Sequence, residues 1–380
     1  MRTALAFAGI LAVLRLALAP ATAEVTKAPA VKSALEVEVE TFAKGLVHPW
    51  GLAFLADGRL LVTERPGRLR IVSVGGELSA PILGVPTVYV GGQGGLLDVA
   101  LGPDFATSGL IFLSYAEPRQ NGKNGTSVAR ARLVMKGDGG RLDGLEVIFR
   151  QEPAYASSAH FGSRIVFAGD GSLFVTLGER FIARDEAQNP GNHLGKLVRI
   201  MPDGTPFPGN PKRQGWRPEI WSIGHRNVQG AALHPASGKL WTAEHGARGG
   251  DEINIPEAGK NYGWPVISYG RNYDFSKIGV GTAREGMEQP IYYWDPSIAP
   301  SGATFYTGAR FAEWTGNLFV GALAGQALHR LVLDGEKVVG EEVLLGNLGE
   351  RIRDVHQGPD GALWLLTDNA TGRILRLVPR

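Results

Sequence analysis

One pattern constrains this chain more than any other: an apolar strand, a Gly-bearing turn and a second apolar strand ending in Thr or an acid recur along its length. GLAFLADGRLLVTE (51–64), RIVFAGDGSLFVTLGE (164–179), GAALHPASGKLWTAEHG (230–246) and RDVHQGPDGALWLLTD (353–368) are clear copies. LDVALGPDFATSGLIFLSYA (97–116) has an expanded turn and GATFYTGARFAEWTGNLFVGAL (302–323) a longer one, which makes six. In the second of the clear copies, Asp170-Gly171 between apolar runs is a direct hairpin signal. Strand-like pieces lie between copies: GRLRIV (67–72), GKLVRIM (195–201), QALHRLVL (326–333) and GRILRLV (372–378). Each unit thus reads as an inner hairpin plus outer strands, repeated at roughly 45 to 70 residues, longer than the ~40–50 of simple propeller repeats. Such units close into a ring that leaves only short edges. The expected fold is all-β: a six-bladed β-propeller of four-stranded antiparallel sheets, with loop insertions (117–163, 180–229 and 247–301) on one face; a two-sheet sandwich is the alternative. The 53 Gly and 23 Pro suit many tight turns, and no stretch sustains a long helical period.

The amino terminus has a different character. MRTALAFAGILAVLRLALAPATAEV combines a basic start, an apolar run and the small-residue exit Ala21-Thr22-Ala23, the pattern of a secretory signal over residues 1–23. Arg15 interrupts the run, which is too short to span a bilayer. Residues 24–36 read as a partly disordered linker and 37–380 as the propeller domain. The expectation is a soluble protein exported to the periplasm or secreted, with no membrane span in the mature chain. Without Arg2 and Arg15 the 39 basic residues fall to the number of acidic ones, 37. A neutral chain gives no reason to expect nucleic acid as a partner. It has no cysteine, so thiol chemistry is excluded and stability must come from packing, closure or a bound metal.

The innermost strand of each propeller blade lines the central channel, so the residues leading into those strands crowd one end of the axis. His48-Pro49-Trp50 lead into the first copy, Gly91-Gly92-Gln93-Gly94-Gly95 into the second and the segment from His160 to Arg164 into the third. His225-Arg226-Asn227, Pro300-Ser301 and the segment from Arg351 to Arg353 lead into the others. His160 and Arg164 are therefore expected to belong to one polar ring. A lone His before a strand usually serves as a loop hydrogen-bonder, and Arg near blade ends often bridges blades through carbonyls. Several cations at equivalent positions, however, repel one another unless an anion sits among them. A polyanionic small molecule would suit Arg226, Arg351 and Arg353, with Gln93 and Asn227 as neutral donors. His160 is the group there suited to proton transfer near neutral pH.

A second signal lies in AEHGARGGDEINIPEAGKNYGWP (243–265). Asp251, Glu252 and Asn254 followed by a Gly-rich turn offer hard oxygens of the kind calcium prefers, although the spacing is not that of an EF-hand. The same residues also fit a capping acid and a turn with a packed Trp. HExxH, a GxGxxG placed in a βαβ unit, and GxSxG are absent, which argues against zinc hydrolysis, a nicotinamide or flavin Rossmann domain and a hydrolase elbow.

Taken in order, HPWGLAFLADGRLLVTERPGRLRIV, GGQGGLLDVALGPDF, HFGSRIVF, NHLGKLVRI, GHRNVQG, AEHGARGGDEINIPEAGKNYGWP and RIRDVHQGPDGALWLLTD span nearly all of the chain after the leader. This set resembles the soluble aldose sugar dehydrogenases that depend on pyrroloquinoline quinone (PQQ), a quinoprotein family that includes soluble glucose dehydrogenase. The resemblance implies a six-bladed propeller with PQQ in the axial pocket and Ca2+ on its quinone side, oxidising the C1 hydroxyl of an aldose sugar to a lactone. By motif, His160 is the general base while hydride passes to the quinone C5, with Arg226 beside it. Gln93, Arg226 and Asn227 contact the cofactor or its calcium, and Arg351 and Arg353 its carboxylates. The main-chain oxygens of Gly246 and Ala247 match the cofactor calcium, and Glu252 and Tyr262 a further structural calcium. Electrons would pass to an external acceptor such as a cytochrome, a quinone or a dye. Two positions depart: Thr307 stands where relatives carry a lysine against the cofactor, and the loop from Glu179 to Arg184 has bulky apolar residues where relatives show a Gly-Asp element. Glu179 remains a candidate to orient His160.

Two other readings stay open. A calcium-dependent lactonase-like propeller would need acidic ligands converging on the axis, where this sequence shows mainly His, Arg, Gln and Asn. A non-catalytic binding propeller would keep the fold without the chemistry.

Overall fold

The computed structural model describes residues 28–380; the expected leader, 1–23, lies outside them. Six small antiparallel sheets follow one another around an axis. Their innermost strands are Pro49–Phe54, Leu96–Leu101, Gly162–Phe167, Val228–Leu233, Pro300–Phe305 and Ile352–Gln357, numbered here as blades one to six. All six repeats identified in the sequence are inner hairpins. Five sheets have four strands and blade one has three, with the isolated bridge between Val72 and Leu78 in place of a fourth. The ring closes because Val37–Leu46 pairs antiparallel with Gly372–Pro379, so the first strand completes the last sheet. Part of the expected linker is fastened too: Val31 N donates to Glu341 O at 2.9 Å and Ser33 N to Glu342 Oε1 at 2.9 Å, on the outer strand of blade five.

The second strand of each blade explains why the repeats read as unbroken apolar runs. Leu60–Glu64, Leu173–Leu177, Leu240–Glu244, Leu318–Ala322 and Leu363–Thr367 are buried at every position. A strand covered on both faces has no reason to alternate. Apolar clusters accordingly sit at each blade interface, for instance Leu61 with Leu96 and Ile111 between blades one and two, and Phe319 with Leu363 and Leu375 between five and six. The expected insertion at 117–163 is largely sheet instead: Asn124–Lys136 and Gly139–Arg150 are the long outer strands of blade two. Their outer faces are exposed, so charged residues interrupt the apolar pattern and disguise them as loop. The stretches 180–229 and 247–301 contain the outer strands of blades three and four, and their loops build one face of the site.

Every innermost strand has a register shift near its start, between Pro49 and Leu52, Leu96 and Val99, Gly162 and Ile165, Val228 and Gly230, Pro300 and Ala303, and Ile352 and Asp354. Bulges of this kind re-aim side chains. Hydroxyls from the second strands fill them and tie one blade to the next. Thr176 Oγ1 accepts from Arg164 N at 2.9 Å and donates to Val228 O at 2.8 Å, and Ser114 Oγ accepts from Asp98 N at 2.9 Å and donates to Ser163 O at 2.6 Å. Thr63 repeats the arrangement, accepting from Gly51 N and donating to Leu97 O, so in blades one and three the repeat's Thr is a stitch to the next blade.

The bulge in blade three also parts His160 from Arg164. Arg164 does not join the polar ring at the mouth; it fills the axis below it. Its Nη1 donates to Asp98 Oδ1 at 3.0 Å and Asp354 Oδ2 at 3.2 Å, its Nε donates to Gln229 O at 3.2 Å, and its guanidinium lies 4.4 Å from the Trp50 ring. Blade five contributes Gly302, where a Cβ would come within 1.9 Å of Asp354 Oδ1. All six blades thus meet around one buried cation. Burial works against ionisation of Asp354, but Arg164 and His356 outweigh it and hold its carboxyl down; burial and the neighbouring Asp354 push Asp98 up despite Arg164. Removing one member of a buried pair strands the other. Arg164→Met should therefore lower unfolding stability by roughly 3–5 kcal/mol, read from the urea midpoint; an unchanged midpoint would refute the hub.

Candidate active site

At the mouth of the axis, His160 stands on a left-handed backbone (φ 54°) and is 4% exposed. Its amide donates to Gln93 Oε1 at 2.8 Å, and its Nδ1 lies 2.9 Å from Glu179 Oε2. Gly178 lies directly behind it: a Cβ there would sit 2.1 Å from His160 O. A carboxylate only accepts, so Nδ1 carries the proton and Nε2 is left as the basic nitrogen. Burial lowers the imidazole pKa below its ordinary value; the Glu179 hydrogen bond opposes this, and Arg226 adds to it. His160 is therefore a neutral, oriented imidazole.

The repeat supplies an internal comparison. In blade four, His225 ahead of the inner strand likewise pairs with an acid near the end of the second strand, its Nδ1 3.1 Å from Glu244 Oε1, although by strand register Glu244 lies level with Leu177 and not with Glu179. There, however, the second nitrogen is also used: Nε2 lies 2.8 Å from Ser222 Oγ, and the ring stacks on Tyr262 with centroids 4.9 Å apart. His225 is a structural histidine, whereas His160 keeps one nitrogen for other work.

Arg226 and Asn227 reach the same mouth from blade four. Asn227 Oδ1 accepts from Gly162 N at 3.0 Å. The Arg226 guanidinium donates to the carbonyl oxygens of Gly246 and His245 and approaches Tyr273 Oη at 3.4 Å, with no carboxylate among its partners, while the Arg226 amide donates to Glu244 Oε2 at 2.9 Å. Its charge is felt by His245, whose pKa is pulled down to about 3 by burial and then by Arg226. A cavity of about 100 Å³ is lined by Glu179, Phe181, Arg226, Ala247, Trp264 and Tyr273, among others. That is smaller than the roughly 300–1,000 Å³ of ordinary ligand pockets. The aromatic side chains that narrow it, Phe181 and Tyr273, are 47% and 58% exposed.

Arg353 and Arg351 meet an anion the sequence reading did not anticipate. Asp368 accepts from Arg353 Nη2 at 2.7 Å and lies 2.8 Å from His48 Nδ1, 3.5 Å from Arg65 Nη2 and 3.7 Å from Arg351 Nη2. Asp98 and Asp354 were missed likewise, so the axis carries three aspartates besides the expected His, Arg, Gln and Asn, each of them paired with arginine. Asp98 and Asp354 sit inside apolar runs, whereas the acids that close the repeats, Glu64, Glu179, Glu244 and Asp368, left a signal there. Several donors at the mouth meet no protein acceptor: Arg226 Nε, Asn227 Nδ2, Arg353 Nε and Arg65 Nε. A ligand rich in carboxylate and carbonyl oxygens fits that set.

The loop 243–265 brings together the proposed metal-binding residues. Gly246 N donates to Asp251 Oδ1 at 2.7 Å, while Gly246 O faces Arg226. Asn254 Nδ2 bridges Glu244 Oε1 at 3.0 Å and Glu252 Oε2 at 3.1 Å, and its own Oδ1 is buried without a partner. Burial and the nearby Glu244 push Glu252 well above the usual carboxylate range. A hard cation fits two like carboxylates and an orphaned amide oxygen. The Tyr262 hydroxyl is committed to Ile255 O at 2.8 Å and Glu257 N at 2.9 Å, so Tyr262 has its main-chain carbonyl to offer. Among the described residues no group of three or more His, Asp or Glu side chains is placed to hold a metal, so a cation here would rely on main-chain and amide oxygens as well. Thr307 is elsewhere: it follows the far end of Pro300–Phe305 and its amide donates to Gln357 Oε1 at 2.6 Å. The strand's length separates it from the mouth, so it does not stand in a cofactor lysine's place.

Fold and site define a β-propeller with a histidine–carboxylate pair and a set of unpaired cationic and amide donors at its axial mouth. The chain belongs to the Glucose / Sorbosone dehydrogenase family, whose sequence profile matches residues 46–376. It is 47% identical over 349 residues to the aldose sugar dehydrogenase YliI of Escherichia coli (strain K12), covering 90% of this chain and 93% of that one. A crystal structure of a glucose dehydrogenase, 52% identical, superposes with a TM-score of 0.87 over 89% of this chain and 99% of the other. The PQQ-bound form of an aldose sugar dehydrogenase from Streptomyces coelicolor, 29% identical, gives a TM-score of 0.75 over 90% and 99%.

The Asp368 cluster has a measurable signature. Burial opposes ionisation of Asp368, but Arg353 and Arg65 outweigh it and hold the carboxyl well below the ordinary range. A depressed folded pKa contributes stability that is present above the unfolded value, about 3.9, and is lost as the pH falls through the folded one. Asp368→Asn should lose about 3 kcal/mol or more at pH 7 and show a shallower decline in acid. Urea unfolding at pH 7 and below pH 4 compares the two; an acid slope equal to that of the wild type would contradict the assignment.

Proposed function

We propose that this protein is a PQQ- and calcium-dependent aldose sugar dehydrogenase, oxidising the C1 hydroxyl of an aldose to the lactone and passing electrons to an external acceptor. The observation that carries the reading is the His160–Glu179 pair, with one imidazole nitrogen uncommitted, set beside an arginine whose guanidinium has no carboxylate partner. Family membership supports it, as do the aldose sugar dehydrogenase relative from E. coli and the PQQ-bound neighbour from S. coelicolor. A carboxylate-bound axial metal of the lactonase kind finds no support, because Asp98 and Asp354 are saturated by Arg164.

In this reading His160 Nε2 takes the proton from the sugar's C1 hydroxyl, and Glu179 stabilises the imidazolium that forms, through Nδ1–H. The C1 hydrogen departs with the C–H electron pair as the carbonyl of the lactone forms. PQQ, when bound, supplies the quinone that accepts this hydride. Gln93, Arg226, Asn227, Arg351 and Arg353 would hold the cofactor, and Arg226 would keep His160 neutral in the resting site. The main-chain oxygens of Gly246 and Ala247 would serve the cofactor calcium, and Glu252 with the Tyr262 carbonyl a second calcium.

Dye reduction by metal-stripped protein with a panel of aldoses should require calcium and PQQ together, and His160→Ala should cut kcat by roughly 10²–10⁴. Turnover without either addition, or undiminished in His160→Ala, would sink the reading. A base must be neutral to act, so activity is present above the folded pKa of His160 and lost as the pH falls through it. The acid limb of kcat/KM should therefore lie below the ordinary histidine value of about 6.5. Glu179→Gln removes the group that raises the His160 pKa and should move that limb lower still.

Calcium should also raise the unfolding midpoint, by about 2.7 kcal/mol of stability at a hundredfold excess over Kd. Glu252→Gln should reduce that gain; an identical calcium response in the variant would remove Glu252 from the site.

A further inference from the structure

We propose that Arg180 is a positioning residue for His160, a buried clamp on the backbone that delivers the imidazole to the axis. This rests on reading His160 as the base. Arg180 is 0% exposed, and its hydrogen-bond partners include no carboxylate. Nε donates to Ala159 O at 3.2 Å, and Nη2 donates to Ser157 O at 2.5 Å and to Asn124 Oδ1 at 2.8 Å. Ser157 Oγ returns a bond to Arg180 O at 2.6 Å. The guanidinium also lies 3.7 Å from the Phe161 ring centre. One side chain therefore grips the residues on both sides of His160, Ala159 before it and Phe161 after it.

A merely structural link would not need a cation here. Burial pulls the Arg180 pKa down to about 10, and Nη1 is buried without an acceptor. The turn that carries it holds two consecutive residues in the left-handed region, Arg180 at φ 67° and Phe181 at φ 64°. Costs of this kind persist where geometry serves a site. What this turn secures is the surroundings of one imidazole: Glu179 on Nδ1, Arg180 on the flanking backbone, and Phe181 edge-on to the ring with centroids 5.2 Å apart. The Arg180 charge also acts at a distance. With Arg226 it opposes protonation of His160, against the pull of Glu179, and His245 faces the same space.

The charge and the grip come apart in two variants, Arg180→Gln and Arg180→Lys, each checked for folding by its urea midpoint. The His160 imidazole is titrated by NMR in the protein without added PQQ, and kcat and KM are measured with PQQ and calcium. Arg180→Gln should lower kcat about 10- to 100-fold with little change in KM, and should move the His160 titration to higher pH. Arg180→Lys should leave the titration near wild type, because the charge remains. Its kcat should still be reduced, because an ammonium cannot span the three acceptors. Wild-type kcat in either folded variant would overturn the clamp. If Arg180→Gln fails to fold, Arg180→Lys decides alone. Should His160→Ala retain full turnover, the base assignment falls, while the NMR titration still reports whether Arg180 acts on His160.

Discussion

Six strands that converge on one axis bring their polar groups to a place where water cannot compensate them, and the fold depends on how that convergence is neutralised. Arg164 does it. One guanidinium from blade three is shared between Asp98 of blade two and Asp354 of blade six, capped by a carbonyl from blade four and packed on Trp50 of blade one. Blade five takes part by contributing no side chain at Gly302. Buried charge of this kind adds little net stability over an apolar plug but penalises any arrangement in which a member is left alone. It therefore disfavours arrangements that leave a member unpaired, while the apolar clusters between blades supply the bulk of the driving force.

Above that hub the same repeat builds chemistry by small departures from itself. Every inner strand starts with a bulge, and the residues ahead of the bulge turn toward the mouth. An acid at the end of the second strand meets a histidine ahead of the first in both blade three and blade four. Only the local neighbours differ: Ser222 and Tyr262 consume what is left of His225, whereas nothing comparable consumes Nε2 of His160. The difference between a structural histidine and one with a nitrogen to spare lies in those neighbours.

Charge at the mouth is divided in the same spirit. Asp368 answers the cations of blades one and six, while the Arg226 guanidinium has carbonyls, a phenol and the Trp264 face around it. Unpaired donors nonetheless remain on both sides, at Arg226 and Asn227 and at Arg353 and Arg65, so the mouth as a whole demands an anionic or carbonyl-rich ligand. The like carboxylates Glu244 and Glu252 with the orphaned Asn254 oxygen create the opposite demand, for a cation, in the adjoining loop.

The sequence by itself determined the number of blades, their order and the residues that enter the mouth, because inner hairpins buried on both faces must be written as repeated apolar runs around glycine turns. It also marked His160, Arg226 and Asn227, whose polar character interrupts those runs at one repeat position. Only the tertiary structure decided that Arg164, four residues from His160, belongs to the axis rather than the site, since a bulge between them is a backbone event with no residue signature of its own. Tertiary structure likewise revealed Asp98 and Asp354, single acids hidden in apolar strands and joined by an arginine from another blade, and the cluster of cations that Asp368 answers. It showed that Thr307 lies beyond the far end of its strand, and that the long outer strands of blade two are sheet rather than loop. Local pattern records what a residue's immediate surroundings require; which distant charge it meets is set by ring closure.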